Sequence, residues 1–200
     1  MCCRYYFEDE YREMMENLMD TQCIKTDAPL ITEPGRDVYP SDASTVIYRN
    51  NNDLTASDMR WGFSNPYKKG LIINARAETA RDKNLFRDSI MNRRCIIPAS
   101  GFYEWDPYKA RFRFTLPDGE LVLMAGFYHL EQSVPRYTIL TTDANESMRP
   151  VHDRMPLMIS KDEIRPWLLN NERLSDFLER PQIQLVREQD SGQMRMDFGM

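Results

Sequence analysis

The spacing of apolar residues changes period several times along the chain, and each change marks an element. Tyr5-Tyr6-Phe7 is a short apolar run that predicts a strand burying the start of the chain. Over residues 8–19, Tyr11, Met14, Met15 and Leu18 recur at helical spacing among acids, which predicts a helix with that stripe turned to the core. Residues 20–43 carry the breakers Pro29, Pro34-Gly35 and Pro40 and read as loop. Residues 44–48 and 54–63 read as strands paired around the polar turn Asn50-Asn51-Asn52-Asp53. Trp61-Gly62-Phe63 then leads through a loop tipped by Tyr67, Lys68 and Lys69 into a strand over 71–79, where three apolar residues precede Asn74, Arg76 and Glu78 at alternate positions.

An amphipathic helix is expected over 84–93, with Leu85, Phe86 and Ile90 inward. Residues 95–98 and 101–105 predict strands joined by a tight turn, 111–115 and 121–128 a hairpin across Pro117-Asp118-Gly119, and 136–142 a further strand. A polar loop over 143–150 runs into Val151-His152-Asp153-Arg154-Met155-Pro156, and 157–159 returns to the core. Helices over about 161–170 and 172–179 precede a short strand near 183–187. No repeat or linker divides the chain, so residues 1–190 are expected as one domain and 191–200 as a flexible tail.

Composition narrows the class. A chain of 200 residues buries a core without disulfide or metal staples, and no run approaches the roughly 20 apolar residues of a membrane span. Charged residues between Arg4 and Glu13 interrupt any secretory signal, and the cysteines at 2, 3, 23 and 95 lack metal-ligand spacing. Reduced thiols in a cytoplasmic, monomeric protein with no metal or cofactor is the expectation. The formal charge of -5 speaks against coating nucleic acid by bulk electrostatics. Residues 60–115, however, hold twelve Lys and Arg against five Asp and Glu, a local excess of +7 that suits a focused polyanion site or a solvated face.

The candidate chemistry begins at Met1-Cys2-Cys3-Arg4. Removal of Met1 leaves Cys2 with a free α-amine (pKa about 7.7 to 8.0) beside a thiol (pKa about 8.5), a pair that no internal residue supplies. Such a 1,2-aminothiol traps aldehydes: the amine forms a Schiff base and the tethered thiol closes a five-membered thiazolidine. Glu104, between Tyr103 and Trp105, is either a solvent-facing carboxylate or a desolvated one fit for proton transfer. His152, between loop and strand and flanked by Asp153 and Arg154, is better placed for chemistry than His129.

Six segments in order, Cys2 with Arg4, Trp61-Gly62, Ile73-Asn74-Ala75-Arg76 with Glu78-Thr79, Gly101-Phe102-Tyr103-Glu104-Trp105, Met124-Ala125-Gly126 and His152-Asp153-Arg154-Met155-Pro156, resemble the SOS response-associated peptidase family. Its members shield abasic sites in single-stranded DNA. The resemblance implies that Cys2 attacks the ring-opened sugar aldehyde, Asn74 positions the N-terminus and sugar, Glu104 is the general acid/base, and His152 assists ring opening. It implies phosphate contacts from Arg4, Arg76 and Arg154, an aromatic contact to the bases from Tyr67, and Pro40 beside the DNA. Cys3 stands where the family usually has glycine.

The resulting expectation is an α+β single domain, a mostly antiparallel barrel-like β core with peripheral helices, that crosslinks to abasic sites in single-stranded DNA. The Schiff base opens a route to lyase activity. Two other readings stand beside it, an N-terminal-nucleophile peptidase and a noncovalent single-strand-binding module.

Overall fold

A computed structural model describes residues 2–26, 29–30 and 33–190; Met1 and the tail expected from 191 lie outside the described residues. The chain runs β1 (Tyr5–Tyr6), α1 (Tyr11–Gln22), β2 (Ile24–Thr26), β3 (Asp37–Val38), β4 (Ala43–Asn50), β5 (Asp53–Trp61), β6 (Phe63–Ser64), β7 (Leu71–Ile72) and β8 (Asn74–Arg76). It continues with α2 (Ala77–Ala80), α3 (Asn84–Asn92), β9 (Arg94–Ala99), β10 (Gly101–Trp105), β11 (Arg111–Thr115), β12 (Val122–Glu131) and β13 (Val134–Asp143). Last come β14 (Arg154–Pro156), α4 (Ile164–Leu169), α5 (Leu174–Glu179) and β15 (Val186–Gln189).

Five strands close on themselves. β4 pairs antiparallel with β5 and β9, β9 with β12, and β12 with β13; a parallel contact of β13 with β5, at Arg136↔Arg60 and Tyr137↔Trp61, shuts the ring. β9 and the first six residues of β12 are buried throughout, as befits strands covered on both faces. A second sheet, ordered β15-β11-β10-β1-β3, is attached to this barrel. The expected α+β barrel with peripheral helices is what the chain forms. Among the described residues no helix is long and apolar enough to cross a membrane.

Two connections differ from expectation. Pro117-Asp118-Gly119 does make a turn, with Gly119 at φ 71°, yet the strands on either side do not pair. β11 pairs with β10 and β15 in the small sheet, whereas β12 lies in the barrel. Burial explains the parting: Phe114 of β11 is buried while the arginines beside it are half-exposed, a one-sided pattern, whereas Val122–Phe127 needs cover on both sides. Likewise β9 and β10, separated by Ser100 alone, do not pair; the chain leaves the barrel and enters the small sheet there. Gly101 makes this crossing feasible, because a Cβ on it would strike the Tyr6 hydroxyl and the Phe114 carbonyl. The loop read over 20–43 also contains β2 and β3, and the strand read over 71–79 is β7, β8 and α2 in succession.

Arg94 joins the helical layer to the barrel. Its buried guanidinium donates to the carbonyls of Ile90 (3.1 Å) and Met91 (3.3 Å) at the end of α3, to Trp167 O in α4 (2.5 Å), and to Asn171 Oδ1 (2.7 Å). The C-terminal ends of two helix dipoles thus face one cation. Burial, with Arg49 adding, lowers its pKa to about 10. Arg94→Met leaves those carbonyls buried without donors, at about 1–3 kcal/mol each. Thermal unfolding should therefore show a loss of several kcal/mol, with Arg94→Lys recovering part of it.

Candidate active site at the start of the chain

The first residues are held as a strand. β1 lies between β10 (Tyr5↔Phe102) and β3 (Tyr5↔Val38), and beyond its paired residues the Tyr103 N–H donates to Arg4 O at 2.9 Å. Tyr5 fixes this strand to the barrel: its ring lies 5.1 Å from Trp61 and its hydroxyl 2.6 Å from that of Tyr137. Trp61 in turn donates its indole N–H to Ile73 O at 3.0 Å, which sets the residue before Asn74. Gly62 follows at φ 100°, a left-handed turn in which a Cβ would press on Leu71.

At the end of this arrangement Asn74 Nδ2 donates to the Cys2 carbonyl at 2.8 Å. Cys2 is buried. Burial pushes its thiol well above the usual range, the charge of Glu104 adds to the effect, and the thiol therefore stays protonated near neutral pH. Cys3 is half-buried and moved the same way by the same two causes. Continuing the β1–β10 register by two residues sets Cys3 across from Glu104, whose buried Oε2 faces the Trp105 N–H at 3.3 Å. Of the two placements left open for Glu104, solvent face or interior, the fold adopts the interior one. The structure thus gathers Cys2, Asn74 and Glu104. Among the described residues Asn74 Oδ1 is buried without a hydrogen-bond partner.

His152 lies two residues ahead of β14. Its Nδ1 has two neighbours, the Arg154 backbone N–H and the Asp153 carboxylate, each at 2.9 Å. An N–H only donates, so toward Arg154 Nδ1 is the acceptor, which corresponds to the neutral tautomer with its proton on Nε2. Arg154 is buried and reaches across β13. It donates to both Glu78 oxygens (2.7 and 2.9 Å), to Asp143 (2.5 Å) and to Thr141 O (2.6 Å). Arg4 is likewise engaged, with Nε 2.9 Å from Asp37 and its guanidinium 4.9 Å from the ring centroids of both Tyr39 and Tyr103. A phosphate reaching either arginine has to exchange with carboxylates already in place.

Arg76, Tyr67 and Asn74 instead share one groove. Tyr67 is 86% exposed on the β6–β7 hairpin, and Pro40, half-buried, lies within the turn closed by Asp42 N–H donating to Tyr39 O at 3.0 Å, whose Ser41 N–H donates to Trp61 O at 2.9 Å. Sequence reasoning missed the anchor of the Tyr67 loop. Glu131 accepts from the Ser64 N–H and hydroxyl, both at 2.7 Å, and pairs with His129 Nε2 (2.8 Å) and Arg136 (2.9 Å). The signal was the alternation of His129 and Glu131 on one strand face, with Arg136 opposite His129 across the β12–β13 hairpin. Among the described residues no three His, Cys, Asp or Glu side chains gather to hold a metal ion.

Residues 1–196 match the family described as SOS response associated peptidase (SRAP). The chain is 35% identical to abasic site processing protein YoaM of Bacillus subtilis, over 74% of this chain and 71% of that one. It is 33% identical to YoqW of the same organism (90% and 85%), and 27% identical to YedK of Escherichia coli (83% and 79%), both likewise named abasic site processing proteins. A crystal structure from Bordetella bronchiseptica superposes with TM-score 0.74 at 25% identity, covering 94% of this chain and 99% of that one. One from Bacteroides thetaiotaomicron gives TM-score 0.75 at 20% identity, covering 93% and 90%.

Two outcomes follow from the site's electrostatics. Iodoacetamide at pH 8 should label exposed Cys23 first and Cys3 more slowly, with Cys2 protected until denaturant opens the fold, as read by peptide mass. For Glu131, burial acts to raise the pKa, but Ser64, His129 and Arg136 outweigh it and hold the carboxyl below its usual value. A lowered folded pKa means stability present above the unfolded value, about 4.3, and lost as pH falls through the folded one. Urea unfolding should show wild type more stable than Glu131→Gln at pH 7, with the gap closing below about pH 4.

Proposed function

We propose, from the premise that this chain belongs to the SOS response associated peptidase family, that it processes abasic sites by capturing the open-chain sugar in single-stranded DNA through Cys2. The observation that supports the reading is the Asn74–Cys2 hydrogen bond beside the buried Glu104 carboxylate, an arrangement that suits an aminothiol working with a proton-transfer group once Met1 is removed. The α-amine adds to the C1′ aldehyde. Glu104, as the carboxylate, takes the proton that the amine nitrogen sheds and passes it to the carbinolamine hydroxyl, which leaves as water and gives the Schiff base. The Cys2 sulfur then adds to C1′, its thiol proton passing to the nitrogen, so that aldehyde and aminothiol become thiazolidine and water. Asn74 holds the backbone of the nucleophile, and His152, with Nε2 bearing a proton, serves the sugar's ring opening. Loss of a proton from C2′ of the Schiff base, with departure of the 3′ phosphate, gives the lyase branch.

The raised Cys2 thiol favours this chemistry over a peptidase. A cysteine that attacks peptide bonds works as a thiolate, generated by a lowered pKa or a paired base. Here burial and the Glu104 charge keep the sulfur protonated, which suits a step in which the amine attacks first and the thiol delivers its proton afterwards. Arg76 and Tyr67, exposed beside Asn74, fit phosphate and base contacts that carry no sequence preference.

Intact mass spectrometry after mixing with an abasic single strand tests this directly. The expected product is protein lacking Met1 plus oligonucleotide minus one water, absent for Cys2→Ala. Glu104→Gln should slow its formation by about a hundredfold or more. Complete loss of Met1 without any adduct overturns the proposal.

A further inference from the structure

The backbone and the side chain of Arg154 are anchored to different parts of the site. On the backbone side, β13 and β14 align Asp143 with Arg154; the Ala144 N–H donates to Asp153 O and the Leu157 N–H to Leu140 O, both at 2.9 Å. Antiparallel pairs alternate between those that exchange hydrogen bonds and those that do not, so Asp143↔Arg154 is of the second kind and the ladder does not use the Arg154 N–H. That N–H donates to His152 Nδ1 at 2.9 Å instead. On the other side the guanidinium crosses β13 to Glu78, one nitrogen to each carboxylate oxygen at 2.7 and 2.9 Å, a paired geometry that orients as well as holds. Thr141 O accepts a further N–H at 2.6 Å. Asp143 meets Arg154 through one oxygen and is 82% exposed. Burial acts to raise the pKa of Glu78, but Arg154 outweighs it and holds the carboxyl below its usual value, so the pair stays charged.

A chain of contacts therefore runs from Glu78 through Arg154 to His152. It starts in the first turn of α2, four residues after Asn74 opens β8, so one short segment carries the hold on Cys2 and the hold on Arg154. β14 has three residues, lies at the edge of its sheet and begins with Arg154, which makes the tie across β13 to Glu78 a large part of what fixes its start. We propose that Glu78 is a positioning residue for His152: by fixing Arg154 it sets the N–H that holds Nδ1, and so leaves Nε2 as the N–H that serves the sugar. The inference rests on the reading of Cys2 as the group that captures the aldehyde and of His152 as the group that assists ring opening. In that step the C1′–O4′ bond of the closed sugar breaks, and the proton of the C1′ hydroxyl passes through water to O4′. The Nε2–H donates a hydrogen bond to O4′ as charge develops there. The products are the aldehyde and a 4′-hydroxyl. An aldehyde that cannot close into a ring needs none of this, so Glu78 acts on ring opening and not on the addition of nitrogen or sulfur.

Two single strands separate ring opening from the later steps: one with an ordinary abasic site, and one whose aldehyde carries hydrogen in place of the C4′ hydroxyl and so forms no ring. At sub-saturating protein, Glu78→Gln should slow adduct formation on the first by about tenfold or more and change it by less than about twofold on the second. Glu78→Asp, which keeps the charge on a shorter side chain, should recover part of the rate, and it carries the test if Glu78→Gln does not melt like wild type. A second readout needs no DNA. The chain has two histidines, so nitrogen NMR of the imidazoles at about pH 8, assigned with His152→Gln, reports the tautomer of His152 directly. Wild type should show a protonated Nε2 and an unprotonated Nδ1, and Glu78→Gln a mixture of tautomers. Equal slowing on both strands, no slowing on either, or an unchanged tautomer overturns the proposal and leaves the reading of Cys2 standing. If wild type forms no adduct with either strand, the reading of Cys2 fails, and the spectra decide on Glu78 alone: a mixture supports its hold on His152, and an unchanged tautomer overturns it.

Discussion

Everything at this site depends on the first residues being strand. A chain terminus pays ordering entropy that its few contacts rarely offset, which is why termini fray. Here β1 has partners on both edges, the Tyr5 ring and hydroxyl reach into the barrel, and Asn74 holds the Cys2 carbonyl. Cys2 is thereby buried and held in one place instead of fraying as a chain start does.

The small sheet serves this purpose. β9 is deep barrel, yet one residue later the chain has become β10, the strand that pairs with β1 and carries Glu104. The barrel thus supplies Asn74 through Trp61 and β8, the small sheet supplies Cys2 and Glu104, and the site lies where the two meet. Because Ser100 is the sole residue between the two sheets, little slack exists between the carboxylate and the rigid ring of strands.

Charge is divided unevenly around the site. Arg4 and Arg154 spend their donors on Asp37, Glu78 and Asp143 and so hold the framework together. Arg76 and Lys83, in contrast, are exposed and line a groove with no carboxylate among its described lining residues, although Arg76 also helps hold the neighbouring Glu78 carboxyl below its usual range. Glu131 adds mechanical support, tying the base of the Tyr67 hairpin to the β12–β13 pair.

Local periodicity was enough to identify most elements, because burial of one face imposes it: α1, α3, the β4–β5 pair and the strand at Tyr5 all follow from apolar spacing. Motif order was enough to single out Cys2, Asn74 and Glu104, which the fold brings together. What spacing could not reveal is which strand lies beside which. The strong turn at Pro117-Asp118-Gly119 implied a hairpin, but turn chemistry fixes only a change of direction, and burial on one face or two sent β11 and β12 to different sheets. The pairing of Arg154 with Glu78, the Glu131 anchor and the Asn74–Lys83 groove depend on side chains from strands and helices that only packing makes neighbours. The sequence by itself determined the elements and singled out Cys2; tertiary structure decided which arginines are held between carboxylates, as Arg154 is, and which stand exposed beside Asn74, as Arg76 does, since electrostatics depends on distance in space and not along the chain.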